Sequence, residues 1–275
     1  MHTPVLLQDT IDALSVVEGG RYIDGTFGEG GHSEAIVKRG GLVLGIDRDS
    51  AQIDNYQKKG APDRIVLVQG NFSQMEELAR RNGFYPADGI ILDLGLSMQQ
   101  LRTGSKGLSY RAEDEELDMR LDREGETATD ILITRSESEL YEIFARYGEE
   151  IYAREIATSV KRKAVRTVKE LLNAIDRALL TKQITNSQVR EKSYARIFQA
   201  LRIVVNSEVE SLKKGLKAAV SCIKPEGRIC VITFHSLEDR IVKQFVRENS
   251  LTWVIEKKRG VQSFERSATL RVFTL

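Results

Sequence analysis

Four glycines, Gly25, Gly28, Gly30 and Gly31, fall within seven residues between a short apolar run, Arg21-Tyr22-Ile23-Asp24, and a helix-length segment. So many glycines cost backbone entropy, and they let a ligand approach the main chain closely. The next apolar run, Leu42–Asp47, ends on an acid 19 residues beyond Gly28. Strand, glycine turn, helix, strand and acid together build a nucleotide-binding crevice, with the acid spaced to hydrogen-bond the hydroxyls of an adenosine ribose. The dinucleotide pattern G-x-G-x-x-G, started at Gly28, would put its third glycine at Ser33. The spacing therefore favours the related adenosine cofactor, S-adenosylmethionine, over NAD.

Alternation of strand and helix predicts a parallel sheet covered on both faces over the first hundred residues. Its expected strands are Tyr22–Asp24, Leu42–Asp47, Ile65–Gln69 and Gly89–Asp93. From about Gln99 to Asn206 no strand pattern is present. Thr167-x-x-Glu170 and Ser136-x-x-Glu139 read as capping boxes opening helices with apolar stripes at Val168, Leu171, Leu172, Ile175 and Leu179, and at Leu140, Ile143 and Phe144. The sheet resumes at Arg228–Phe234, followed by an amphipathic helix over Leu237–Arg247 and strands at Thr252–Glu256 and Leu270–Thr274. The expectation is an α/β, Rossmann-like domain of residues 1–98 and 207–275, with an all-helical domain of residues 99–206 inserted in it.

In open parallel sheets ligands bind outside the carboxyl ends of the strands. Residues 25–31, 47, 70–72 and 93–97 would gather there. Phe72 could lay its ring against adenine, and Asp93 could act on the ligand or merely cap a helix. His235 follows the fifth strand, where an imidazole can carry a proton or touch RNA. Ser236-x-x-Asp239 reads as a helix cap with an acid in the first turn.

Other classes are disfavoured. The chain holds only His2, His32 and His235, with no Cys/His cluster, so a metal site is not expected. It has neither the phosphate-loop pattern of nucleotide triphosphatases nor the Gly-x-Ser-x-Gly turn of hydrolases. No apolar run approaches membrane-spanning length. Cys222 and Cys230 form no Cys-x-x-Cys pair; reduced thiols and a cytoplasmic location are expected. The net charge of +1 says little, but residues 113–126 carry eight acids, whereas Arg154, Lys161, Arg162, Lys163, Arg166 and Lys169 stand against Glu155 alone in residues 154–169. That basic stretch could track phosphates or be a solvated helix face.

Taken in order, these blocks resemble the bacterial RsmH (MraW) family, class I methyltransferases that modify a cytidine of 16S ribosomal RNA at its exocyclic amine. The resemblance runs through Tyr22-Ile23-Asp24-Gly25-Thr26-Phe27-Gly28, Gly30-Gly31-His32-Ser33, Leu92-Asp93-Leu94-Gly95, Leu117-Asp118-Met119-Arg120, Tyr147-Gly148-Glu149-Glu150 and Phe198-Gln199-Ala200-Leu201-Arg202. Its most specific block is Phe234-His235-Ser236-Leu237-Glu238-Asp239-Arg240-Ile241-Val242-Lys243. The resemblance implies a class I methyltransferase sheet and a cofactor site at Gly30, Gly31, His32, Asp47, Phe72, Asp93 and Gln100. It also implies an inserted domain that helps receive 16S rRNA, within the small ribosomal subunit. Asp93 is the first choice for a proton acceptor, followed by Ser97 and His235. A homodimer is left open. The chain departs from the family pattern at Met98-Gln99, at Asp114-Glu115-Glu116, at Lys192-Ser193 and at Gln262-Ser263-Phe264. Two other readings are a methyltransferase acting on another RNA or a protein, and an RNA-binding assembly factor without chemistry.

Overall fold

The computed structural model describes residues 4–60, 62–96, 106–122, 124–262, 265 and 267–275. Ser97 and Gln100 lie outside the described residues. In chain order the elements are α1 (Leu7–Leu14), β1 (Arg21–Asp24), α2 (Gly31–Lys38), β2 (Leu42–Asp47), α3 (Ser50–Lys58), β3 (Ile65–Gln69), α4 (Met75–Arg81) and β4 (Ala87–Asp93). Five helices follow: α5 (Ala128–Thr134), α6 (Glu137–Gly148), α7 (Ala153–Lys161), α8 (Val168–Thr181) and α9 (Ser187–Val205). The chain ends with α10 (Glu208–Cys222), β5 (Ile223–Thr233), α11 (Ser236–Glu248), β6 (Thr252–Arg259) and β7 (Thr269–Thr274). It divides into two compact units, one of Met1–Ser97 with Val209–Leu275 and the other of Met98–Glu208.

The first unit is a seven-stranded sheet in the order β3-β2-β1-β4-β5-β7-β6. Strands β1 to β5 run parallel, and β7 lies antiparallel between β5 and β6. This is the Rossmann-like sheet that the strand and helix alternation leads one to expect. Alternation along the strands explains the two covered faces. Ile23, Leu44, Ile46, Ile90 and Leu92 pack with Met75, Leu212, Leu216, Val242 and Val246. Their neighbours Tyr22, Val43, Ile91, Cys230 and Ile232 pack with Leu14, Ile36 and Tyr56 on the other side.

The chain moves outward from β1 through β2 to β3, then crosses back so that β4 lies against β1. That reversal opens a crevice at the carboxyl ends of β1 and β4. Register puts Asp24 beside Ile91, and Asp93 beside Ile232 of β5. Three chain segments therefore deliver an acid or its flanking turn to one place.

The second unit is helical around Leu140, Phe144, Ile156, Leu171, Ile175, Ile197 and Leu201. Ser136 and Thr167 cap α6 and α8 in the predicted capping boxes. The acidic run does not hang free. The Val168 and Lys169 N–H groups donate to the Glu115 and Glu113 carbonyls, and Leu117 N–H to the Arg166 carbonyl, each at 2.9 Å. Acidic and basic stretches thus lie side by side. Lys161, read in the sequence with the phosphate-tracking cations, donates instead to the Ile133 carbonyl at 2.8 Å, at the end of α5. A cation there complements the helix dipole. Arg162, Lys163, Arg166 and Lys169 remain exposed. Among the described residues no helix is long and apolar enough to cross a membrane.

Candidate active site

Strand β1 ends on Asp24, whose side chain is buried. Its Oδ2 accepts the Ser33 hydroxyl at 2.7 Å and its Oδ1 the Thr26 N–H at 3.3 Å. Burial pushes its carboxyl up to about 6 despite these hydrogen bonds. The glycine turn then crosses the crevice. Gly25 N–H donates to Ile91 of β4 and Phe27 N–H to Ile46 of β2, so both neighbouring strands hold it.

Gly30 stands at the N-cap of α2 with φ +82°, where a Cβ would lie 2.6 Å from the Tyr56 ring and 2.8 Å from Phe27. A Cβ on Gly31 would fall 2.1 Å from Pro4, so the segment Pro4–Leu6 rests directly on the turn. Only glycine satisfies both positions.

Asp47, at the end of β2, does more than the spacing argument asked of it. Its Oδ2 accepts the Gly28 N–H at 2.7 Å and its Oδ1 the Asp49 N–H at 2.9 Å. The acid braces the glycine turn, and each oxygen keeps lone-pair capacity for a hydroxyl. Burial moves its carboxyl upward, while those N–H groups pull it down.

Phe72 opens a short 3₁₀ turn after β3, capped by Asn71. Its ring lies against Gly215 of α10, where a Cβ would come within 2.3 Å of Cδ2. One face is thus packed on a helix that glycine has cleared for it, and the residue stays only half-buried.

Asp93 closes β4. Its backbone N–H donates to the Thr26 hydroxyl at 2.6 Å, fastening it to the glycine turn. Its Oδ1 is buried with no hydrogen-bond partner among the described residues. Burial, with the charge of Asp24 and then of Glu238 added, raises its carboxyl to about 7, against one lowering contact from the Gly95 N–H. His32 Nδ1 approaches Asp93 Oδ2 at 3.9 Å, which resembles an ion pair but is not one. His32 is buried, and burial pulls its ring down to about 4. Its Nε2 must carry the proton, because that atom meets the Val5 carbonyl at 3.2 Å. Nδ1 is then a neutral acceptor facing the carboxyl.

His235 follows β5 and is itself the N-cap of α11. Its Nδ1 accepts the Glu238 N–H at 3.4 Å, and the Glu238 carboxylate lies 3.1 Å from Nε2. The sequence reading placed the cap one residue later, at Ser236 with Asp239. An imidazole nitrogen serves as the capping acceptor instead, and Asp239 pairs with buried Arg271 of β7 at 2.6 and 2.9 Å. Leu94 N–H donates to the Ile232 carbonyl, which keeps the ends of β4 and β5 together.

The arrangement is a glycine-lined crevice edged by carboxylates. Asp93, Asp24 and Glu238 crowd together with neutral His32 as neighbour, an environment suited to a ligand that brings positive charge. Over residues 1–274 the chain matches the model of the MraW methylase family. The chain belongs to that family.

It is similar to the "Ribosomal RNA small subunit methyltransferase H" of Carboxydothermus hydrogenoformans, with 42% identity over 99% of this chain and 89% of that protein. The protein of the same name from Desulfotalea psychrophila is 39% identical over 99% of this chain and 97% of its own length. Among solved structures, an rRNA methylase from Streptococcus thermophilus superposes with a TM-score of 0.47 at 6% identity, covering all of this chain and 98% of that one.

A methylase of this family takes its methyl group from S-adenosyl-L-methionine. The crevice fits that molecule on two structural counts: a turn that any Cβ would fill, and a buried carboxylate oxygen left unpartnered where a cationic sulfonium would be welcome. Asp24 and Glu238 were not picked out from the sequence. The one signal for Asp24 was its place at the carboxyl end of β1.

Proposed function

We propose that this chain transfers the methyl group of S-adenosyl-L-methionine to the exocyclic N4 of a cytidine in 16S rRNA, with the small ribosomal subunit as its substrate particle. The observation that carries the reading is Asp93: a carboxyl raised to about 7, with Oδ1 unpartnered, beside the glycine turn at the sheet's reversal point. The cofactor supplies a methyl already activated on a sulfonium, so the protein's task is geometry and proton handling. Holding amine and methyl in line can contribute roughly 7–11 kcal/mol.

Cytosine's amine is a weak nucleophile because its lone pair is delocalised into the ring. Asp93 accepts one of its N–H groups, which localises that pair, and takes the proton once the C–N bond has formed. The turn Gly30-Gly31-His32 holds the methionine end, Asp47 the ribose hydroxyls, and Phe72 the adenine. Gln100 completes the cofactor set that the family resemblance implies, and Ser97 and His235 are the second choices for the proton acceptor. The base must leave its stack to reach the crevice, and the exposed cations Arg162, Lys163, Arg166 and Lys169 of the helical unit follow the RNA backbone.

The deciding experiment offers tritiated cofactor with naked 16S rRNA and with small subunits in parallel, alongside calorimetry of cofactor binding. Label at N4 of a cytidine is the expected result. Cofactor binding without label on either substrate would move the acceptor elsewhere, and absence of binding heat would remove the reading altogether.

A further expectation concerns the helical unit. Reversing charge at Arg162 and Lys163 weakens RNA binding and makes it less sensitive to salt, each lost phosphate contact lowering the log–log slope by about 0.7–0.9. Lys161→Ala lowers thermal stability instead, with the salt slope unchanged. Filter binding across a salt series, paired with melting curves, separates the two. An unmoved slope in the Arg162/Lys163 variant would leave that stretch as solvated surface.

A further inference from the structure

The segment ahead of α1 is tied down from two sides. Leu6 N–H donates to Glu265 Oε1 at 2.8 Å, across 259 positions of the chain. The Val5 carbonyl faces His32 Nε2 at 3.2 Å. That N–H and that carbonyl belong to one peptide unit, which is trans and therefore planar, its two groups pointing opposite ways. Fixing one end aims the other. Glu265 lies in the connection between β6 and β7 and is buried, 6% exposed. Its Oε2 accepts the Gln262 N–H at 3.3 Å, so both hydrogen bonds of its side chain among the described residues come from main chain. Gly260 makes room for it, since a Cβ there would fall 2.3 Å from both the Cβ and the carbonyl oxygen of Glu265. Leu6 stands at the N-cap of α1 with φ +51°, a left-handed backbone that a leucine keeps only where its surroundings hold it.

The geometry points to Glu265 as a positioning residue of the methyl-transfer centre: through the Val5–Leu6 peptide it fixes the His32 ring, and with it the edge that the ring turns to Asp93. The relay runs from Glu265 Oε1 to the Leu6 N–H, across the peptide to the Val5 carbonyl, and on to His32 Nε2. Every member lies in the first compact unit. A carbonyl can only accept, so Nε2 carries the ring proton, and Nδ1, 3.9 Å from Asp93 Oδ2, presents a lone pair. If the peptide turned away, Nε2 would lose its acceptor. The ring proton would then pass to Nδ1, where the Asp93 carboxyl is the acceptor at hand. A carboxylate that already accepts from His32 is a weaker base toward an incoming amine. A side chain that merely filled the turn before β7 would leave the ring indifferent to its chemistry.

This inference rests on the methyl-transfer reading, and its test has an arm independent of it. Long-range ¹H–¹⁵N spectra of the full-length protein, which has only three histidines, report the His32 ring directly. Wild-type protein shows a single Nε2–H tautomer there. E265Q keeps an oxygen that accepts the Leu6 N–H, so it keeps that tautomer and a single-turnover rate near that of wild-type protein. E265D keeps the charge but draws the oxygen back by one methylene, and the spectrum becomes a mixture of Nε2–H and Nδ1–H forms. Its rate falls by about 10-fold or more, because small displacements of a positioned group are felt at the reacting atoms. The reverse order, with E265D like wild-type protein and E265Q mixed, would overturn the relay in favour of charge alone. Wild-type spectra in both variants, or a mixed tautomer in wild-type protein, would overturn it too and leave Glu265 as packing. If wild-type protein transfers no methyl at all, the functional reading fails, while the imidazole spectra still decide for or against Glu265.

Discussion

Replacing Asp93 with Asn lowers single-turnover methyl transfer by about 10²–10⁴-fold, the range typical of losing a positioned general base. The amide keeps the shape of the side chain at the end of β4 and its backbone bond to Thr26, so the fold persists. What disappears is a group able to hold the proton. The pH dependence follows from the same carboxyl. With its protonation midpoint raised to about 7, mainly by burial, Asp93 is protonated at lower pH and cannot accept another proton. The rate in wild-type protein therefore climbs with pH through that region, and Asp93→Asn flattens the climb. Linkage gives a second sign. A cationic cofactor favours the ionised carboxylate, so binding releases protons near neutrality and tightens as pH rises. In Asp93→Asn both effects shrink, and the affinities of the two proteins converge only as pH falls below the midpoint that Asp93 has in the complex. Calorimetry in buffers of different ionisation enthalpy reads the proton count directly. A variant with normal turnover and normal proton release would exclude Asp93 as acceptor.

How much of this centre was legible in the chain depends on whether a residue's role is local. The strands β2 and β3 run over the residues their apolar patterns mark, and the glycine turn sits where entropy arguments put it. The capping boxes at Ser136 and Thr167 need only a three-residue register, and both form. Where two local patterns compete, sequence could not choose. Ser236-x-x-Asp239 and His235-x-x-Glu238 are one residue apart, and Asp239 goes to Arg271 because β7 lies within reach. Likewise Lys224-Pro225-Glu226-Gly227 looks like the end of a helix, yet β5 already begins at Ile223, paired with Ala87 across a register shift. Asp24 and Glu238 matter only because β4 comes to lie between β1 and β5. That adjacency is a property of strand order, so no window along the chain contains it. Lys161 shows the same limit for charge, since its sign is visible in the sequence and its carbonyl partners are not.

Substituting Gly30 by Ala should nearly abolish cofactor binding, and a second glycine supplies the control that tells why. At φ +82° an L-residue pays about 1–2 kcal/mol for the left-handed backbone. The added methyl would also meet Tyr56 at 2.6 Å and Phe27 at 2.8 Å. Those two rings are already locked edge to face at 4.8 Å, so neither can yield without disturbing the packing beneath the turn. Overpacking of this kind costs roughly 1–3 kcal/mol more. If the turn relieves the clash by moving, its N–H groups leave the positions that face the crevice. An affinity loss of about 30-fold to more than 1,000-fold follows when about 2–5 kcal/mol is charged against the binding-competent turn. Gly83 has a similar φ of +77° with nothing within 4 Å of the site of a Cβ. Gly83→Ala therefore carries the backbone cost alone, lowering the melting temperature modestly and leaving cofactor affinity intact. Calorimetry and thermal melts on the two variants separate cradle from strain. Equal affinities in Gly30→Ala and Gly83→Ala would mean that the turn's shape is not what holds the cofactor, and the crevice would have to bind it through the acids alone.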